Sequence, residues 1–439
     1  MGDAARRLAA LLGQALRTPL PVRIRAWDGS EAGPPGTPVI VVRARRALRR
    51  LLWRPDELGL ARGWVAGELD VEGDLYEALR LFSEVAEEAR LATPPAPPLR
   101  RMVELARDPD MRRLARQTLL LAGPPWLPPP PPPEEVRGLH GGRHSLRRDR
   151  QAISHHYDVG NDFYRLVLGE SMVYSCAYFE RPDAHLADPQ RAKLDLICRK
   201  LGLRPGQRLL DVGCGWGSMA MHAAEHYGVE AVGVTLSTEQ AGYARKRVAE
   251  AGLADRVTIR VQDYREVRDG PYDAISSIGM AEHVGAEQYR VYAESLYRLL
   301  VPGGRLLNHQ ISRRPEPEGT TYRPDPFITA YVFPDGELAP VGTTVSLLEQ
   351  AGFEVRDVQS LREHYALTLR HWVANLEAAA KEAERLTSPG RARVWRLYMA
   401  ASAIAFEQNR IGVNQVLAVR TSPDGSSGMP LTREEWLRS

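Results

Sequence analysis

Cysteine is scarce in this 439-residue chain, which has three: Cys176, Cys198 and Cys214. They lack paired metal-ligand spacing and are too few for a disulfide framework, so the pattern excludes a cystine-stapled scaffold and points to a reducing, cytoplasmic setting. Long apolar runs are also missing. None approaches the roughly 20 residues that span a bilayer, so no transmembrane helix is expected. Arg6 and Arg7 come early but no apolar h-region follows, and no secretory signal is expected. Leu8, Leu11, Leu12 and Leu16 instead suit one face of an amphipathic helix. Lysine is absent from residues 1–150, where 25 arginines meet 19 acids for a net of +6; the remainder is net −3. Arg43, Arg45, Arg46, Arg49, Arg50 and Arg54 surround a helix-like stretch containing Leu48, Leu51, Leu52 and Trp53, and a second cluster is Arg143, Arg147, Arg148 and Arg150. Such clusters attract anionic lipid head groups or nucleic acid, or are a solvated arginine-rich surface and nothing more.

The 44% hydrophobic content is that of a globular chain, and the length allows two or three domains with real cores. Pro124, Pro125 and the six prolines Pro128 to Pro133 mark the clearest boundary, because proline runs favour extended polyproline II over packed helix or central strand. The expected domains are therefore 1–122, a small α+β accessory domain for a membrane or partner; 123–150, a proline-rich and basic linker; and 151–439. In the first, residues 21–26 and 37–42 read as strands and 74–89 as a helix. The last alternates strands at 208–212, 230–234, 257–261, 272–278 and 304–311 with helices at 187–202, 217–227, 238–251 and 287–300. That alternation predicts a mostly parallel sheet covered on both faces, with ligands outside the carboxyl ends of its strands. Residues 365–412 break it and read as two helices flanking Pro389 and Gly390, a lid inserted before a last strand near Gln415–Val419.

Leu209 to Gly217 run Leu-Leu-Asp-Val-Gly-Cys-Gly-Trp-Gly. This is a buried strand entering a glycine turn that opens a helix, a place where a ligand comes close to the main chain and the helix N-terminus favours an anionic group. The spacing of Gly213, Gly215 and Gly217 differs from the dinucleotide fingerprint. With Asp211 ahead of it, the segment resembles motif I of class I S-adenosylmethionine (SAM) methyltransferases.

Further segments stand in a fixed order: His156 to Tyr164, Tyr174 to Tyr178, Val232 to Ser237 with Gln240, Gln262 to Tyr264, Met280 to Gly285, His309 to Ile311, and Tyr331 to Gly336. Together they resemble the cyclopropane-fatty-acyl-phospholipid synthases and the related mycolic-acid cyclopropane synthases. The resemblance covers about 150–420 and implies an α/β class I methyltransferase fold, Rossmann-like, with a helical lid. The implied reaction is SAM-dependent methylation of a cis double bond in the acyl chain of an unsaturated phospholipid, followed by proton loss to a bound bicarbonate that closes a cyclopropane ring.

Carried over by position, Cys176, Glu282, His309, Ile311 and Tyr365 would form the bicarbonate site. Cys176 and Ile311 would donate backbone N–H groups, His309 and Tyr365 would donate from side chains, and Glu282 would accept the bicarbonate proton. For SAM, Tyr174 and Ser175 would take the methionine carboxylate, Gly213 and Gly215 would approach its backbone beside Asp211, Thr235 and Gln240 would reach the ribose, and Gln262 the adenine. Trp216, Tyr178 or Tyr174 could face the sulfonium with a ring, or be plain core. Taken singly, Cys176 also reads as a small buried hydrophobe, His309 as a satisfied polar residue and Tyr365 as a helix-start aromatic. No metal is implied.

The Asn308-His309-Gln310 stretch departs from the family's commoner Leu-His-Thr. It keeps open a rival outcome from the same cation, a methylene branch that a partner reductase would convert to a methyl branch. Two further alternatives are a non-catalytic lipid-binding module and a small-molecule methyltransferase. The partners this reading implies are phospholipid and anionic lipid at the inner face of the cell membrane, where the protein would sit peripherally. It leaves a homodimer open and expects no nucleic acid.

Overall fold

The structure is a computed structural model and describes residues 2–16, 18–91, 109–123, 127–136, 141–142, 144–145, 148–149, 151, 159–317 and 322–438. The expectations for Pro124, Pro125, Arg143, Arg147, Arg150, His156, Tyr157, Asp158 and the Leu16 side chain lie outside the described residues. Contacts divide the chain into two units, Met1–Glu135 with Ser388–Ile404, and Val136–Thr387 with Ala405–Ser439.

The first unit has a four-stranded sheet of β1 (Arg23–Arg25), β2 (Glu31–Ala32), β3 (Val39–Val42) and β4 (Leu69–Glu72), ordered β2-β1-β3-β4. Only β1 and β3 pair in parallel. Helix Ala4–Leu16 places Leu8 and Leu11 into a core with Ile24, Val42 and Leu48, the face its spacing implies. The unit extends through the prolines. Arg50 Nη1 donates to Pro130 O at 2.7 Å, and the Arg62 guanidinium grips Glu135 through contacts of 2.8 and 2.6 Å. Residues 388–404 belong to the same unit, where Trp64 Nε1 donates to Arg393 O and the Arg393 guanidinium lies 4.5 Å from the Trp64 ring centroid.

The second unit carries seven strands: β5 (Arg208–Val212), β6 (Glu230–Thr235), β7 (Val257–Val261), β8 (Tyr272–Ile278), β9 (Leu300–Arg313), β10 (Glu354–Ser360) and β11 (Ile411–Val419). Their order is β10-β11-β9-β8-β5-β6-β7, and β11 runs opposite to both of its neighbours. Because side chains alternate along a strand, β5 supplies both cores. Leu209 packs with Leu194, Ile197, Ala223 and Ala244 on one face, and Leu210 and Val212 pack with Tyr292, Leu296 and Leu348 on the other. Each such leucine, fully buried, contributes roughly 1.5–3 kcal/mol.

Two expectations about elements need correction. Strand β10 was not foreseen. The insertion holds three helices, Arg362–Ala378, Ala380–Leu386 and Pro389–Glu407, rather than two. Pro389 does not separate helices; it opens the last one, where its missing N–H is tolerated. Among the described residues no helix is long and apolar enough to cross a membrane.

Candidate active site

Strand β5 ends at Val212 and the chain turns through Gly213 (φ 75°) to Gly217 (φ 81°), which caps helix Ser218–Tyr227. A Cβ on Gly213 would stand 2.9 Å from both Cβ and Cγ of Met280, so only glycine fits there without displacement. The turn borders a cavity at the carboxyl ends of β5, β6, β7 and β8, with about 940 Å³ of empty space counting its open mouth. That is room for a nucleoside-sized ligand. Tyr174, Ser175, Asp211, Gly213, Gly215, Thr235, Gln240 and Gln262 all line it, together with Lys193, Trp216 and His283.

The polar groups of this wall are partly occupied. Ser276 Oγ donates to Asp211 Oδ1 at 2.7 Å, while Asp211 Oδ2 is buried with no partner among the described residues. Burial lifts the Asp211 carboxyl to about 6, against the pull of the Ser276 hydrogen bond. Thr235 Oγ1 donates to Gln240 Oε1 at 3.0 Å, and Ser237 caps the helix that carries Gln240. Gln262 Nε2 donates to Glu266 O. Trp216 and Tyr174 present rings to the cavity, whereas Tyr178 does not line it and stacks on His364 instead, 4.9 Å between centroids. A bare buried carboxylate oxygen, a turn without side chains and aromatic walls suit a ligand with an ammonium, a carboxylate and a sulfonium. The fit to SAM is therefore good.

The five residues assigned to the anion do not line that cavity, yet they form a connected group. Ile311 N–H donates to Glu282 Oε1 at 2.7 Å. This corrects the expected role of Ile311: its amide holds Glu282 rather than standing ready for an anion. Glu282 Oε2 is buried without a partner among the described residues, and burial raises the carboxyl to about 7. His309, next but one along β9, faces Gln415 of β11 across the ladder; Gln415 Nε2 lies 3.3 Å from His309 Nδ1. In this orientation of the Gln415 amide its nitrogen donates to Nδ1, which leaves the ring proton on Nε2; Nε2 and Gln415 Oε1 are both buried without a partner among the described residues. Burial drives the His309 pKa well below its ordinary value, which keeps the ring neutral.

Cys176 Sγ contacts Leu361 O at 3.6 Å, and Tyr365 N–H donates to the same carbonyl. Leu361 N–H in turn donates to Val413 O, and Val413 is the register partner of Ile311. The Cys176 thiol is fully buried and its pKa is pushed far up, so it is an inert thiol and not a nucleophile.

Asn308 and Gln310, whose departure from the family pattern kept the branched product open, point to the other side of β9. There Asn308 bonds Tyr292 OH and Gln310, and Gln310 bonds Tyr289 OH and Thr344. They form a closed buried network beneath the strand and leave the His309 face unchanged.

Three residues went unforeseen. Lys193 is buried in the cofactor cavity wall. Trp372 lies 5.3 Å from the Tyr174 ring and 6.0 Å from the Tyr365 ring by centroids, and its buried Nε1 has no partner among the described residues. Thr368 Oγ1 accepts from Ala177 N–H at 3.0 Å and ties the Tyr174–Tyr178 loop to helix Arg362–Ala378. A lone lysine, tryptophan or threonine on a helix carries no motif. The only available signal was their place on the stripe that faces the core.

Residues 144–416 match the family described as mycolic acid cyclopropane synthetase. A probable fatty acid methyltransferase of Mycobacterium tuberculosis is 41% identical over 416 residues, 94% of either chain. One of Pseudomonas putida is 38% identical and covers 95% of this chain and 97% of its own. Among solved structures, a mycolic acid cyclopropane synthase complexed with SAH and CTAB is 38% identical, with a TM-score of 0.58 over 61% of this chain and 97% of its own. A coclaurine N-methyltransferase at 18% identity and a TM-score of 0.59 shares the fold alone. The second unit thus has the class I SAM-methyltransferase fold.

Proposed function

The chain belongs to the mycolic acid cyclopropane synthetase family, and on that footing we propose that it methylates the cis double bond of unsaturated acyl chains in phospholipids and closes a cyclopropane ring by proton loss to a bound bicarbonate. That it is a SAM-dependent methyltransferase acting on lipid alkenes follows from membership. The observation behind the finer reading is a pair of buried polar atoms without partners among the described residues, Glu282 Oε2 and His309 Nε2, the first on the carboxylate that Ile311 N–H holds. The carboxylate oxygen accepts, and with the Gln415 amide oriented as it is the ring nitrogen donates. A small group that carries both an oxyanion and a proton satisfies the two together, and bicarbonate is such a group.

An alkene is a weak nucleophile, so the reacting partners must be held in near-attack geometry. SAM supplies the electrophilic methyl group, and its transfer leaves a cation on the acyl chain. Bicarbonate bound at the anion site would supply a compact base there. The residues supply the rest. His309 Nε2–H and the Tyr365 hydroxyl donate to the oxyanion, Glu282 Oε2 accepts its proton, and Ile311 N–H fixes Glu282. Without such partners a buried anion is very costly.

The acyl chain lies in a bilayer, so the protein must work peripherally at the membrane surface, and the arginine excess of residues 1–150 favours an anionic inner leaflet. Incubation with SAM and unsaturated phospholipid vesicles, followed by lipid mass analysis before and after hydrogenation, tests the reading. A gain of one CH2 that resists hydrogenation is expected. A product that takes up hydrogen would replace ring closure with the methylene branch and call for a reductase partner.

A further inference from the structure

Helix Ala187–Leu201 buries two lysines, Lys193 and Lys200, each 1% exposed. Lys200 has a counter-ion, with Nζ 3.1 Å from the equally buried Asp357. Lys193 differs. Its Nζ donates to Ser175 Oγ at 2.9 Å, and among the described residues no carboxylate forms an ion pair with it. Asp211 acts on it only through space, without a hydrogen bond or ion pair, and holds Ser276 through Oδ1. A buried cation with a single neutral acceptor is unfavourable unless something else supplies negative charge. Lys193, Ser175, Tyr174 and Gly213 all line the cofactor cavity. Burial has pulled the Lys193 pKa down to about 8, the mark of a cation without full compensation.

We propose that Lys193 is the counter-charge of the SAM methionine carboxylate and acts through Ser175. The ammonium occupies a lone pair of Ser175 Oγ, so the hydroxyl hydrogen is turned into the cavity, where it donates to the carboxylate while the ammonium's field favours the negative charge. This makes Lys193 a positioning residue, and it rests on the cofactor reading of the cavity.

The two readings fail differently. Calorimetry on the full chain compares SAM with decarboxylated SAM, which lacks only the carboxylate. Wild type should prefer SAM. K193M should weaken SAM binding by about tenfold to a hundredfold and leave decarboxylated SAM within about twofold. S175A should weaken SAM in the same direction, and K193M/S175A should lose little more than K193M, because the two groups act in series. An equal loss for both ligands would mean that Lys193 only shapes the wall, and would overturn the assignment. So would a wild type that binds both ligands alike, a result that needs no folded variant. A wild type that binds neither would remove the cofactor reading itself.

Discussion

At Glu282, stability and function pull in opposite directions. The carboxyl is fully buried, accepts from Ile311 N–H and is pushed by burial to about 7 instead of its ordinary 4.5. The folded chain therefore holds this proton more tightly than the unfolded chain does. As pH rises through the interval between those values, ionising Glu282 costs stability, at most about 3 kcal/mol once both states are ionised. Accepting a proton from the bound group needs the ionised form. Turnover should thus fall as pH drops below about 7, with a slope approaching tenfold per unit. E282Q keeps the acceptor for Ile311 N–H and removes the charge. It should abolish most turnover, leave SAM affinity largely intact, and melt at the same or a higher temperature than wild type at pH 8. Wild-type turnover in E282Q, with Y365F equally active, would end the anion-site assignment. The opposite loss is expected at the turn. In G213V the added side chain collides with Met280 and closes the main-chain approach, so calorimetry should show SAM binding strongly weakened in a protein that still folds.

At the scale of elements, the reaction site depends on how one loop is held. Tyr174 to Tyr178 is irregular, yet Ala177 N–H donates to Thr368 Oγ1 and Phe179 N–H to His364 Nδ1, each at 3.0 Å, and both acceptors sit one turn apart on helix Arg362–Ala378. The loop carries Tyr174, Ser175 and Cys176, and the helix carries Tyr365 and Trp372, so these two bonds tie the cofactor cavity to the proposed anion site. T368V keeps the shape, removes the acceptor and strands a buried N–H, at a cost of about 1–3 kcal/mol. Its melting temperature should fall, and kcat should fall further than the loss of folded protein explains. If activity per folded molecule is unchanged, the tie is not a positioning device. Protonation of His364 would remove its acceptor nitrogen, and burial lowers its pKa. Its contribution to stability is therefore complete above about 6.5 and is lost as pH falls through the lower folded value.

What the sequence made legible follows the same physics. Strands β5 and β8 are largely buried on both faces and β7 alternates buried with open positions at the sheet edge, and the expected limits of all three coincide with the observed ones. Strand β10 reads Glu-Val-Arg-Asp-Val-Gln-Ser and escapes any hydrophobicity criterion. It is an edge strand whose buried Asp357 is satisfied by Lys200, a partner 157 positions away in sequence that no local pattern reveals. The glycine turn was visible because backbone geometry restricts residue type. Lys193 was not, since Lys-Leu-Asp-Leu looks like an ordinary amphipathic helix. Residues 190, 193, 197 and 200 nevertheless all fall on its buried stripe. The Asn308 and Gln310 departures were legible, and strand alternation turns both side chains away from the face that carries His309.

For the whole molecule the open matter is how a protein with no membrane-crossing helix among its described residues reaches an acyl chain. Charge and burial in the first unit narrow the choice of contact groups. Arg50 was expected among the basic docking residues, but it is 5% exposed, with Nε 2.9 Å from the buried Glu68 and Nη1 on Pro130 O. It is a structural ion pair, and Arg46 shares the same carboxylate. Arg43 is committed to Asp70, and Arg54 to Asp56. Arg45 remains exposed beside the Trp27 ring, and Trp53, at 49% exposure, is a large apolar ring in solvent at the end of helix Arg46–Trp53. An exposed tryptophan next to basic residues suits an interface that is apolar on one side and anionic on the other. Each basic residue near such a surface adds about 1 kcal/mol, and salt screens that gain. In vesicle co-sedimentation, R45Q/W53A should therefore bind anionic vesicles about tenfold more weakly than wild type at low salt, with an unchanged melting temperature and an unchanged rate on detergent-dispersed substrate. R50Q should behave in the opposite way. It leaves Glu68 short of a partner in a buried site and should cost about 3 kcal/mol of stability, with vesicle binding per folded molecule intact. If R50Q instead loses vesicle binding while R45Q/W53A keeps it, the docking face lies elsewhere on the molecule and these exposed side chains are only a solvated surface.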